Sequence, residues 1–153
     1  MSEHPVAHST FSLERSYPCA PARVFAAWAE PAAKGRWFAG PDSEHRLDFQ
    51  IGGHEVTRGA NSEGQVLTFE SVYHDIVPAA RIVYSSTLSV GDRVATVSLT
   101  TVEISPAGHG ARLVLTEQGT YLDGLEEPRW REQGTGDHLD ALGGDLKENG
   151  RPA

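Results

Sequence analysis

The sequence has a single cysteine, Cys19, so an internal disulfide framework is excluded, and a lone thiol fits a reducing cytoplasm. No apolar run approaches the ~18 residues of a membrane span. The N-terminus shows none of the basic-then-apolar layout of a secretory signal. Basic residues are few: 13 Lys and Arg stand against 21 Asp and Glu, giving a net charge of −8, and they are scattered singly. Without a basic stripe to neutralise phosphates, nucleic acid is not an expected partner. Metal-ligand spacing is also missing. The seven histidines form no HExxH or His-x-His pattern, there is no CxxC, and His4 and His8 fall in a segment that reads as a tail. No metal site and no cofactor are therefore expected. Gly52-Gly53 runs into a strand rather than a helix, so it is not a phosphate loop.

What is present reads as one domain, expected over residues 9–148 with short tails at 1–8 and 149–153. A chain of this size can bury roughly 70% of its unfolded surface. Thr10 to Tyr17 alternates, with Phe11 and Leu13 in phase, and predicts the first strand. Pro21 to Ala29 predicts a short helix with Val24, Phe25 and Trp28 on one face, and Ala32 to Trp37 one further turn. Strands then follow at regular spacing: 45–51, 54–59, 65–75, 81–89, 94–104 and 111–120. Short Gly-, Pro- and Asn-containing turns join them, which favours antiparallel neighbours.

Several of these strands place polar residues in phase with large apolar ones. Glu117 falls with Leu113 and Leu115, and Thr101 with Val97 and Leu99; Ser71, Ser86, Tyr73 and Tyr84 share predicted faces with the aromatic and aliphatic residues. An unpaired buried hydroxyl costs roughly 1–3 kcal/mol, so a dry core would not carry so many. The pattern predicts a partly wet inner face, which is a cavity.

The last long segment, 123–147, is the one helix candidate long enough to cover such a sheet. Asp123 followed by Glu126 resembles a helix start, and Pro128 is tolerable in a first turn. Thr135, Leu139, Leu142 and Leu146 recur at helical spacing as one narrow stripe, and Trp130 points off it, towards a partner or a dimer contact. Gly136 and Gly143 flank the stripe and leave room for a close backbone or for a ligand.

This order of elements, carried by LERSYPCAPARVFAAWAEPAAKGRWF at 13–38, IGGHEV at 51–56, FESVYHDIVPAARIVYS at 69–85, GARLVLTEQGTYLDG at 110–124 and GTGDHLDALGGDL at 134–146, resembles a known family. It is similar to the START and birch-pollen-allergen-like superfamily (SRPBCC), and within it to the heat-shock protein 90 ATPase activator homologue-like (AHSA-type) branch. The resemblance implies an α+β helix-grip fold, in which a curved antiparallel sheet of six to seven strands grips a long C-terminal helix and two short helices follow the first strand. Many members have a Gly-Trp pair entering the last half of that helix, where this chain has Gly136-Asp137-His138. In the branch's eukaryotic members a chaperone-binding domain precedes this one, and these 153 residues contain no counterpart of it.

The leading functional expectation is a cytoplasmic binding module for a small apolar or amphipathic molecule held between sheet and helix. Its expected wall is Trp37, Phe49, Phe69, Tyr73, Tyr84, Leu99, Leu115, Leu139 and Leu142, with Arg58, Ser86, Thr101 and Glu117 as polar anchors and His138 near the mouth. The alternatives are a cyclase- or hydrolase-type enzyme, with Glu117 and His138 as the only catalytic candidates, or a chaperone-regulating interaction domain, with Trp130 on its contact surface. A homodimer is a further possible assembly. For Glu117, Arg58 or a protonated His138 is the expected charge partner.

Overall fold

In the computed structural model, residues 3–149 are described; the chain-end residues of both expected tails otherwise lie outside them. Seven strands form one antiparallel sheet. They are β1 (Val6–Tyr17), β2 (Glu44–Leu47), β3 (His54–Ala60), β4 (Val66–Val77), β5 (Arg81–Val90), β6 (Arg93–Ala107) and β7 (Gly110–Leu122). The order across the sheet is β1-β7-β6-β5-β4-β3-β2, so β1 closes one edge against the last strand. Helices α1 (Pro21–Ala29) and α2 (Pro31–Phe38) link β1 to β2, and α3 (Pro128–Asn149) ends the chain. This is the helix-grip arrangement.

The first strand starts earlier than its alternation suggested. Val6 to His8 pair with Leu122 to Thr120, so part of the expected tail is strand. Both short helices open on a proline, whose missing N–H is no loss in a first turn. Val24 and Trp28 are buried from α1, and α2 runs two turns rather than one, burying Ala33, Lys34 and Trp37.

The second strand is shorter than expected. It stops at Leu47, and Asp48 to Gly53 fold into a turn held by bonds from Gln50 N to Asp48 O and from Gly53 N to Gln50 O. Ile51, expected in phase with Leu47 and Phe49, is instead 65% exposed.

A bulge shifts the phase of β6. Leu88 pairs with Thr96 but Ser89 pairs with Val94, so Ala95 is the extra residue and both Ala95 and Thr96 are buried. From there Thr96, Ser98, Thr100, Val102 and Ile104 face inwards. Val97 and Leu99, the apolar residues that suggested the inward phase, are 44% and 40% exposed on the other face.

The final helix begins at Pro128, not at Asp123. Asp123 and Gly124 have φ of 58° and 65°, a left-handed pair that turns the chain out of β7. Asp123 cannot cap the helix from there, and its carboxylate lies 3.6 Å from His4 and 3.5 Å from Arg93. Leu139, Leu142 and Leu146 are buried as one stripe. The helix is anchored to β1: the Tyr17 hydroxyl donates to Leu139 O at 2.8 Å, and Arg15 reaches Asp140 at 2.7 Å. Gly136 and Gly143 permit that closeness. A Cβ at Gly136 would lie 3.2 Å from the Arg15 guanidinium, and one at Gly143 would lie 3.4 Å from the Tyr17 ring.

Candidate functional site, a cavity between sheet and helix

Closing α3 over the sheet leaves a cavity of about 330 Å³. Its walls combine Trp28, Trp37 and Phe38 from the short helices, Leu67, Phe69, Tyr84, Leu88 and Leu115 from the sheet, and Thr135, His138 and Leu139 from α3. Gly40, Ala60 and Trp130 line it and are exposed, which marks where it reaches solvent. The short helices supply aromatic mass because Pro21 and Pro31 start two adjacent amphipathic turns. Trp28 and Trp37 meet edge-on at 4.8 Å, and the Trp37 indole donates to Ala27 O at 2.9 Å.

One wall is charged. Arg131 donates from Nε to Glu117 Oε2 at 3.0 Å and from Nη2 to Glu117 Oε1 at 3.3 Å, a two-pronged pairing. Its Nη1 donates to Glu126 Oε1 at 3.2 Å, and Nη2 also reaches Ser98 Oγ at 3.2 Å. The guanidinium stands 4.9 Å from the Phe69 ring. Hydroxyls from the inward face of β6 complete the set: Thr100 donates to Glu117 at 3.0 Å and Thr96 to Glu126 at 2.6 Å. Burial opposes the charge on Arg131, but the two carboxylates outweigh it and raise its pKa further.

His138 forms the adjoining wall. Its ring lies 4.8 Å from that of Phe38 and makes no hydrogen bond among the described residues. Burial, then the charges of Lys34 and Arg131, push its pKa below the ordinary value, and Asp137 only partly opposes them. At neutral pH it therefore offers the cavity an uncharged imidazole, one donor and one acceptor.

A second buried ion cluster lies on the same face but outside the cavity lining. Lys34 Nζ donates to Glu55 Oε1 at 2.9 Å, the Tyr73 hydroxyl to the same oxygen at 2.5 Å, and His45 Nε2 lies 2.7 Å from Oε2. The ammonium also faces the Phe38, Trp28 and Trp37 rings at 4.4, 4.9 and 5.5 Å. Burial alone would raise the Glu55 carboxyl, but Lys34 and the three donors override it and hold it at about 2. The pair is sealed from solvent, and burial pulls the pKa of the Lys34 ammonium below its ordinary value although Glu55 opposes that.

The expected site residues divide three ways. Trp37, Phe69, Tyr84, Leu115, Glu117, His138 and Leu139 do meet around the cavity. Tyr73, Ser86 and Leu142 lie in the interior away from it, and Phe49, half-buried, packs against the core. Phe49 packs edge-on against Phe25 and Tyr73, Ser86 bonds Ser71 at 2.7 Å, and Leu142 is wholly buried core. Arg58, Leu99 and Thr101, expected in the site, all point instead to the outer face. Arg58 is exposed and reaches Thr68 at 3.4 Å, and the β6 bulge turns Leu99 and Thr101 outwards. Glu117 thus pairs with neither Arg58 nor His138. Its partner, Arg131, sits one turn before Thr135 on the same stripe, and continuing that stripe by four residues would have found it.

Chemically, the site can shelter an apolar body and hydrogen-bond a polar group. Glu117 is fully engaged by Arg131 and Thr100, so it is no free acid or base. Trp130, 54% exposed, stands off the leucine stripe at the opening.

The chain matches the family model described as Activator of Hsp90 ATPase homolog 1-like protein over residues 18–146. Among solved structures it is similar to a Rhizobium leguminosarum protein at 36% identity, covering 97% of this chain and 100% of the other, with a TM-score of 0.93. A Rhizobium loti protein is 43% identical over 93% of this chain and 99% of its own, with a TM-score of 0.87. A Chromobacterium violaceum protein shares the fold at 24% identity, with a TM-score of 0.75 over 88% and 94% of the two chains. No curated protein matches. Matched over most of its length and set in the same helix-grip frame, the chain belongs to the family of Activator of Hsp90 ATPase homolog 1-like proteins.

Proposed function

We propose that the protein binds a small, mostly apolar or amphipathic molecule in the cavity between the sheet and α3. The observation that carries this reading is the cavity of about 330 Å³, open to solvent at one end and walled by aromatic and aliphatic side chains with a few convergent polar groups. Ligand sites typically span about 300–1,000 Å³ and have this composition. The unpaired cysteine supports a cytoplasmic setting. Binding requires no chemistry of Glu117, which agrees with its closed ion pair.

The test is titration with N-phenyl-1-naphthylamine, an uncharged dye that brightens in apolar surroundings. Wild-type protein is expected to bind it saturably at one site, and Leu88→Trp, which fills the cavity, to lose at least tenfold in affinity while keeping its circular dichroism. Equal binding by a folded Leu88→Trp variant would refute the cavity as the site.

The outer face of the sheet supports a second reading as an interaction surface, for a chaperone or for a second copy of the chain. Val97 and Leu99 stand side by side there, both well exposed. Leu99→Asp should then abolish association, measured by sedimentation, while dye binding survives.

A further inference from the structure

The charged wall of the cavity restricts what a ligand can present to it. Arg131 is the cation of that wall, and both of its neighbours, Glu117 and Glu126, are carboxylates. One positive charge against two negative ones leaves the wall with an excess negative charge. Four of the five N–H donors of the arginine are taken by the two carboxylates and Ser98, which leaves one hydrogen on Nη1. Lys34, whose charge also acts on His138, is bound by Glu55 and stands over the Phe38 ring. Acceptors remain. Glu126 uses Oε1 for both Thr96 and Arg131, and its Oε2 makes no hydrogen bond among the described residues. The His138 ring nitrogens are unbonded in the adjoining wall.

Resting on the binding reading above, we propose that the ligand is an amphipath whose polar head donates hydrogen bonds and carries no negative charge, such as an alcohol, amide or amine, and that fatty-acid-like anions are rejected. A carboxylate entering the cavity would find the unpartnered donors Trp28 Nε1 and Thr57 Oγ1, but it would lose hydration and meet the excess negative charge with less screening than in bulk water. A hydroxyl or amine makes the opposite exchange, finding Glu126 Oε2 or the His138 acceptor. Trp130, on the cavity wall at its opening, would cover the apolar stem.

The experiment displaces bound N-phenyl-1-naphthylamine with 1-octanol, octylamine and octanoate at neutral pH, three molecules of one chain length that differ in the head. Octanol and octylamine are expected to compete, and octanoate to be weaker than octanol by roughly tenfold or more. In Glu126→Gln, which removes the excess charge, that gap should shrink to about threefold or less. Octanoate competing as well as octanol in the wild type overturns the proposal and leaves the cavity reading intact. An unchanged gap in a folded Glu126→Gln variant also overturns it. Failure of the dye and all three competitors to bind overturns both. The wild-type ranking decides even if the variant does not fold.

Discussion

Glu55 and Glu117 are both buried carboxylates on the inner face of the sheet, each held by a cation from a helix, yet their surroundings differ. Glu55 is 2% exposed, its lysine 1%, and its oxygens are taken by Lys34, Tyr73 and His45 behind a screen of aromatic rings. Its charges cancel and face no open space. Glu117 is nearly as buried, but the Arg131 that holds it also lines the cavity and shares its charge with Glu126. The two clusters show that burial and pairing alone do not distinguish a structural ion pair from a site wall. What distinguishes them is whether the partner set closes on itself or leaves acceptors facing a void.

The comparison breaks first at Glu55. Glu55→Gln leaves the Lys34 charge buried without a counter-charge and should cost about 3–5 kcal/mol in urea unfolding, whereas Lys34→Met combined with Glu55→Leu should recover most of that loss. A single-variant cost under about 1 kcal/mol would mean that the pair does not hold the interior as described. Leu142→Ala, in the stripe that docks the helix carrying Arg131, should cost about 2–5 kcal/mol by the same measurement. Glu117→Gln should cost less, roughly 1.5–3 kcal/mol, because Glu126 still holds Arg131. It should alter head-group preference as well, which Glu55→Gln should not.

The pH dependence separates the clusters further. Glu55 is depressed to about 2 in the fold, so its contribution is complete above its unfolded value near 4.5 and is lost as pH falls towards 2. His138 is lowered by burial, so the unfolded chain binds its proton more readily, and stability declines as pH drops below the ordinary histidine range. Unfolding free energy measured from pH 7 to 3 should fall in two stages, and His138→Phe should remove the upper one. The smallest effect is expected at Trp130. Trp130→Ala should change stability by no more than about 0.5 kcal/mol. It should also remove most iodide-accessible tryptophan fluorescence, since Trp28 and Trp37 are 1% and 4% exposed against 54%.

How much of this was legible in the sequence depends on periodicity. The fold was, because alternation in β5, in β7 and in β4 as far as Tyr73, where a bulge at His74 shifts it, and the Leu139, Leu142, Leu146 stripe point to one sheet and one gripping helix. β6 was misread for a local reason. The bulge at Ala95 breaks the two-residue period, and the inner face of this strand carries hydroxyls while the outer carries Val97 and Leu99, inverting the usual sorting. Half of the site followed from the strands. Arg131 did not, because a charged residue on a leucine stripe looks misplaced until the two carboxylates that neutralise it are seen. Glu126, in the segment between β7 and α3, has no periodicity at all to reveal it.

The most direct test of the central claim is to locate bound ligand residue by residue. Amide and indole resonances followed through a 1-octanol titration should shift saturably at Phe69, Leu88, Leu115, Thr135 and His138 and at the indoles of Trp28, Trp37 and Trp130, all on the cavity wall. Val97 and Leu99 on the outer face should stay still. Shifts confined to that outer face, or none at saturating octanol, would contradict the account.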